Sequence, residues 1–362
     1  MMKESITNKQ GITMIAMFVM GSTLVMGAAT EAKQDAWLAI IIALILAIPV
    51  IAIYARILSL FDGKNLFEIT DIIFGKIFGR IISLFFIWFS FLLGALVTRN
   101  FAEFIRVVSF PETPDCIPVI LMGLLCIWVV REGIEVLGRW AVFFLPILAL
   151  ILFINVILSA SISNFDNLRP VLYDGIKPVA KSAFNVFSFP LAETVVFMSI
   201  FNLVKGKNNP FKVYYLGLGI AVFFILITAL RNILVLGGTL VEQLYFSSYT
   251  VMGLINIGDF LQRIEVSVSV VFLLAGFVKI SICLLATAKG IDHLFKIGNY
   301  RLIVVPVGLM MMINSRFAFV NTMEMFEFAG KVFAYYAFPF QVILPIVIWI
   351  AAEIKTRRSI MQ

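Results

Sequence analysis

What most constrains this chain is a succession of apolar runs about twenty residues long, the length a helix needs to cross the hydrocarbon core of a bilayer. Residues 40–48 are apolar on every side, and residues 81–93 are broken only by Ser83 and Ser90. A membrane barrel would instead alternate apolar and polar residues in segments of about ten. Hydrophobic residues make up 62% of the chain and charged residues 14%. A soluble domain would carry about a quarter charged residues, and a disordered chain would lack such runs. The sequence therefore predicts an all-α polytopic membrane protein.

Ten spans are predicted, near 10–30, 36–58, 81–108, 116–131, 138–159, 181–204, 212–237, 264–288, 301–316 and 332–353. The fourth and ninth are short. No connecting segment is long enough for a soluble domain, so residues 1–362 form a single membrane domain. Lys3 and Lys9 precede the first apolar run as in a signal peptide. The many spans that follow make it a retained first helix.

Charge sets the expected orientation. The net charge is +7, but the basic residues lie in short clusters between spans, as in cytoplasmic loops, and do not form a nucleic-acid surface. With the N-terminus inside, 17 of the 28 Lys and Arg fall on inner segments and eight on outer ones, leaving Arg99, Arg231 and Lys279 within spans. Both termini are expected to be cytoplasmic, in agreement with an even number of spans.

The two halves, about 10–159 and 181–353, share a plan. Each opens on a span containing helix-weakening residues, and five helices per half give the halves opposite orientation. A 5+5 inverted repeat with broken first helices points to a midplane binding site. In span one the weak point is Gly21, Ser22 and Thr23. Gly is disfavoured in a helix by about 1 kcal/mol relative to Ala, and Ser and Thr hydroxyls compete for backbone partners. Unwinding there would free amides suited to a carboxylate. Small residues also serve as close-packing faces, and it is the pairing with span six that favours a break.

Span six reads NVFSFPLAE over 185–193. Pro190 has no amide to donate and clashes with the preceding turn, so Phe187, Ser188 and Phe189 should lie at a kink. Glu193 follows in the first turn of the next helical piece, where a negative charge is favoured. A carboxyl at bilayer depth faces the bundle interior or a wet cavity. It would be a proton carrier, a partner for a ligand amine or a gate latch; a structural ion pair is the plainer alternative. Lys279 lies fifteen residues into span eight, too deep for easy snorkelling. It would sit among carbonyls freed in span one, where a transport sodium would otherwise lie, or simply pair with Glu193. Arg99, after Val97 and Thr98, is a second intramembrane basic residue with a coupling or gating role, or one that reaches the outer interface. Arg231 reads the same way near the outer end of span seven.

Enzyme chemistry is not expected. Phosphate-loop, nucleophile-elbow and zinc-protease motifs are missing, and the aspartates fall in loops or at span ends. One histidine, His293, excludes a His-rich metal site, and Cys116, Cys126 and Cys283 read as small packing residues. No cofactor is implied.

The segment NLRPVLYDGIKP at 167–178, the FPLAE break at 189–193, the opening span over 12–28 with Gly21 and Ser22, and GFVK at 276–279 together resemble the spore germination permease family, the B subunits of nutrient germinant receptors. The resemblance runs over essentially the whole chain. It implies membership of the amino acid–polyamine–organocation superfamily and a leucine-transporter-like fold with broken first and sixth helices. It also implies a nutrient-sensing role at the spore inner membrane, with an amino acid as the ligand and A-type and C-type receptor subunits as partners. Carried onto this chain, the ligand cradle comprises Gly21, Ser22, Thr23, Phe187, Ser188, Phe189, Pro190 and Glu193, walled by Val97 and Thr98, with Cys283 as a further wall. The basic Lys279 departs from a sodium-coupled carrier. A proton-coupled amino-acid transporter or exchanger would use the same pocket, and a channel or structural subunit would bind no ligand.

Overall fold

A computed structural model describes residues 4–108, 112–114, 116–203, 209–255 and 263–360, and every element in it is helical. The end of the sixth predicted span, with Lys205 and Lys207, lies outside the described residues.

The first span is two helices, α1 (Asn8–Met20) and α2 (Thr23–Met26). Thr7 caps α1 through a reciprocal exchange with Gln10, which fixes the helix start at the polar-to-apolar boundary. A 3₁₀ turn, Thr30–Asp35, leads to α3 (Ala36–Leu60). Helix α4 (Leu66–Val108) is longer than the predicted third span of 81–108. Its extra arm before Gly75 carries Glu68 and Asp71, too polar for an apolar run, yet it buries Leu66, Phe67 and Ile69. Gly75, at φ 78°, sets the angle between arm and span. Helices α5 (Cys116–Glu132) and α6 (Ile134–Ser159) complete the first half.

The sixth span opens with α7 (Ile176–Val186), then loosens into one wide turn (Phe187–Leu191) and a 3₁₀ helix (Ala192–Ser199). Helix α8 (Pro210–Leu236) follows, and then two short helices that the apolar-run criterion does not detect, α9 (Gly238–Gln243) and α10 (Ser247–Gly253). Helices α11 (Val266–Phe295) and α12 (Arg301–Phe317) match the predicted eighth and ninth spans. The last span is α13 (Thr322–Glu327), α14 (Phe333–Phe338) and α15 (Leu344–Ile360), joined by wide turns at Phe328–Val332 and Pro339–Ile343.

Seven of the helical segments among the described residues are long and apolar enough to cross a membrane. At 17 residues each, α5 and α12 are shorter, as the sequence predicts for spans four and nine. Helix α4 lies along α11, and α1 lies against α8. These contacts place α1 and α11 at the centre, where Met14 to Met20 and Val278 to Ala286 are almost wholly buried. Helix α6 turns Leu150, Ile154 and Ile157 outward, as a lipid-facing helix should.

Candidate functional site

The first helix breaks at Gly21. Its amide still bonds to Met17 O at 2.9 Å, but its backbone has φ 26° and ψ −126°. A Cβ there would lie 2.7 Å from Lys279 Cδ and 2.9 Å from Phe18 O. Positive φ and close approach together demand glycine. The buried hydroxyls of Ser22 and Thr23 have no hydrogen-bond partner among the described residues, which leaves two polar groups beside the break.

The second break centres on Phe189, whose extended backbone (φ −128°, ψ 109°) is what a residue before proline adopts. Residues of the second and tenth spans hold it. Ser188 Oγ donates to Gln341 Oε1 at 3.0 Å, and Gln341 Nε2 donates to Ser188 O at 2.9 Å. The Tyr54 hydroxyl lies 2.5 Å from Gln341 O and 3.3 Å from Ala192 O. Carbonyls freed by the wide turn are thus met inside the protein, which irregular backbone at membrane depth requires. Tyr54 and Gln341 were not among the expected site residues. A lone Gln in an apolar run between Pro339 and Pro345 is a detectable signal; one tyrosine in α3 is not.

Between the breaks, Lys279 Nζ lies 2.6 Å from Glu193 Oε2, and both side chains are fully buried. The ammonium also faces the rings of Phe189 at 4.4 Å and Phe18 at 5.1 Å, an attraction that strengthens out of water. Glu193 Oε1 has no hydrogen-bond partner among the described residues. Removing such a pair from water is costly and is repaid only by good geometry. A spare carboxylate oxygen is therefore a place where an incoming donor would gain most.

A cavity of about 260 Å³ begins just beyond, on the face opposite the N-terminus. Thr23 and Phe189 reach it from the breaks, Ser182 and Asn185 from α7, Tyr245 from the turn between α9 and α10, and Phe326 from α13. The last two rings stack with centroids 4.1 Å apart. The buried Ser182 hydroxyl has no partner, and Asn185 Nδ2 donates to Gly330 O at 3.2 Å. A larger hollow of about 720 Å³ lies on the outer wall between α4 and α5, lined by Phe101, Leu121 and Trp128, and has almost no polar group.

The structure brings Gly21, Phe189, Glu193 and Lys279 into one cluster, with Ser22, Thr23, Phe187, Ser188 and Pro190 on the adjoining turns. The other expected residues lie on α4 and on α11, with Cys283 one turn beyond Lys279. Val97 and Thr98 are buried in α4, where the Thr98 hydroxyl donates to Gly94 O at 2.8 Å. Cys283 packs at the same α4–α11 contact, its Cβ 3.0 Å from where a Gly94 Cβ would be. Arg99 does not meet Glu193; its Nη2 is 2.5 Å from Glu103 Oε1. Glu103 Oε2 also takes Arg106 Nη2 at 2.6 Å and the Thr322 hydroxyl at 2.9 Å, which fastens the start of α13 to span three. Arg231 is buried against Asn232 Oδ1 at 2.7 Å. Asn232 in turn reaches Ser248, which donates to Leu24 O at 2.6 Å. No cluster of three or more His, Cys, Asp or Glu that could hold a metal is found among the described residues.

Comparison with known proteins agrees with this geometry. A family model described as spore germination protein matches residues 5–322. Spore germination protein KB of Bacillus subtilis (strain 168) is 29% identical, over 99% of this chain and 97% of that protein. The putative spore germination protein YfkT of the same organism is 27% identical, over 82% of each. Among solved structures, MhsT in complex with L-phenylalanine superposes with a TM-score of 0.67 at 10% identity, covering 96% of this chain and 98% of that one. Mhp1, a nucleobase-cation-symport-1 family transporter in a closed conformation with bromovinylhydantoin bound, gives 0.56 at 14% identity, covering 95% and 78%. The fold is that of the leucine-transporter type.

Proposed function

This chain belongs to the spore germination permease family, and from that premise we propose that it is the nutrient-sensing B subunit of a spore germinant receptor. It resides in the spore inner membrane with both termini on the core side. Its ligand is a small nutrient, an amino acid, which enters through the outer cavity and binds between the two broken helices. The five-helix halves are inverted repeats whose relative arrangement the ligand biases, and A-type and C-type subunits receive the change. A ligand drives such a change only through its differential affinity for the two arrangements.

One observation carries this reading. The cavity ends on Thr23 and Phe189, and directly behind Phe189 lies a buried ion pair with one unpartnered carboxylate oxygen. A ligand amine displacing the ring would meet Glu193, and a ligand carboxylate would meet Lys279 and the Ser22 and Thr23 hydroxyls beyond Gly21. A zwitterion exchanges partners with the pair without burying net charge, whereas a simple cation or anion leaves one charge unpaired.

The test is a thermal-shift screen of free amino acids and other small nutrients on the purified receptor complex. A ligand at a hundred times its Kd stabilises by about 2.7 kcal/mol. The expected result is a shift with wild type that Glu193→Gln and Thr23→Val reduce. No shift with any nutrient, or one indifferent to both substitutions, overturns the assignment. The same buried pair would serve a proton-coupled amino-acid transporter or exchanger, the second reading. Sustained uptake of labelled amino acid into liposomes down a proton gradient would establish the carrier.

A further inference from the structure

The connection between α6 and α7, with the first turn of α7, contains the 167–178 segment, which the ligand site does not use. It is firmly built. Both carboxylate oxygens of Asp35, a residue only 2% exposed, accept the Leu172 amide at 3.0 Å. Leu172 has φ 58°, a left-handed conformation unfavourable for a leucine, and the Asp35 bond holds it there. Gln34 Nε2 donates to Pro170 O at 3.1 Å, and Lys33 Nζ pairs with Asp174 at 2.8 Å. The Asn164 amide and Asn167 Nδ2 both donate to Leu234 O near the end of α8, at 2.8 and 2.9 Å.

This fixed backbone presents apolar side chains outward. Tyr173 is 76% exposed, Phe165 73% and Ile176 62%. Arg169 and Lys177 are exposed beside them. The patch continues the exposed face of α6, where Ile157 is 71% exposed. Aromatic and basic side chains at the end of a membrane helix are what the headgroup layer accommodates, with rings at the acyl boundary and cations on the phosphates.

We propose that residues 160–178, the α6–α7 connection with the first turn of α7, form an interfacial anchor seated in the outer headgroup layer, with Phe165 and Tyr173 inserted and Arg169 and Lys177 on anionic lipid phosphates. Its position gives it leverage. Lys33, Gln34 and Asp35 lie between α2 and α3, and Ile176 opens α7. The anchor therefore ties the outer ends of both broken helices to one depth in the bilayer. The inference rests on the proposed orientation, with both termini on the core side, and it stands or falls independently of the ligand.

Spin labels at Tyr173→Cys and, separately, Phe165→Cys test it, in a Cys116→Ser background of the full chain in nanodiscs, with unchanged helix content as the check on folding. Asp62→Cys, exposed in the short connection between α3 and α4, is the aqueous reference, and Ile157→Cys is the lipid reference. The oxygen-to-nickel-chelate collision ratio is expected to be several-fold higher at both loop positions than at Asp62 and to approach that at Ile157. It should rise further when phosphatidylglycerol replaces part of the phosphatidylcholine. A ratio equal to that at Asp62 would put the loop in water, leave a protein partner as its cover, and overturn the anchor. A ratio indifferent to phosphatidylglycerol would overturn the role of Arg169 and Lys177.

Discussion

Lys279 of α11 and Glu193 of the broken sixth span form a fully buried ion pair 2.6 Å long, and the lysine stem occupies the space that Gly21 leaves by lacking a side chain. Three elements distant in sequence thus share one contact. Neutralising one member leaves the other charge buried alone, which costs about 3–5 kcal/mol. Glu193→Gln and Lys279→Met should each lower the thermal midpoint markedly, and the double substitution should restore much of the loss. The nutrient response should be lost in all three. Thermal unfolding of the four purified proteins checks this, and additive destabilisation in the double variant would show that the two residues act separately.

Gly21→Ala tests the contact from the other side. Its Cβ would collide with Lys279 Cδ and Phe18 O in a backbone of positive φ, for which strain costs of order 1–3 kcal/mol are expected. Gly75→Ala places a side chain at φ 78° and ψ 174°, with nothing within 4 Å, and should cost of order 1–3 kcal/mol from the backbone alone. The nutrient response should fall in the first variant only. Equal responses would detach Gly21 from the site.

Gln341 is the tether of the second break, with both ends of its amide on Ser188. Gln341→Leu keeps most of the volume and strands the Ser188 carbonyl and hydroxyl in apolar surroundings, at about 1–3 kcal/mol for an unsatisfied buried group. Ser188→Ala combined with Gln341→Leu should cost less than the sum of the two single changes. A double-mutant cycle on midpoint stability reads the coupling; zero coupling would show that the tether is not used.

The cavity mouth makes a kinetic prediction. Tyr245 and Phe326 stack across it, a contact of about 0.5–1.5 kcal/mol. Phe326→Ala should raise the rate at which an aqueous thiol reagent modifies Thr23→Cys in a Cys116→Ser background. A rate unchanged from that with Phe326 intact would place the barrier deeper, at Phe189.

Run length and charge bias are local properties of a sequence, and each predicted span has a helical counterpart because a bilayer leaves no alternative for twenty apolar residues. The breaks were equally legible: Gly21 beside two hydroxyls, and Pro190 within FPLAE, are backbone statements that need no neighbour. An intramembrane Glu and Lys announced themselves by the cost of placing them there. The polar arm of α4, with the short helices α9 and α10, escaped because their apolar residues are too few to form a run.

Only the tertiary structure decided which charges meet. Glu193 and Lys279 are 86 residues apart, and the sequence left Lys279 a choice between Glu193 and the carbonyls of span one; the helix arrangement puts its ammonium on Glu193 and its stem against Gly21. Arg99, equally deep by sequence, finds Glu103 one turn along its own helix and is drawn into the outer cluster with Thr322. Gln341 and Tyr54 matter because two other spans bring them to the loosened turn. Helix formation follows from solvent and local pattern, whereas pairing depends on the packing of many apolar faces, and no single segment encodes it.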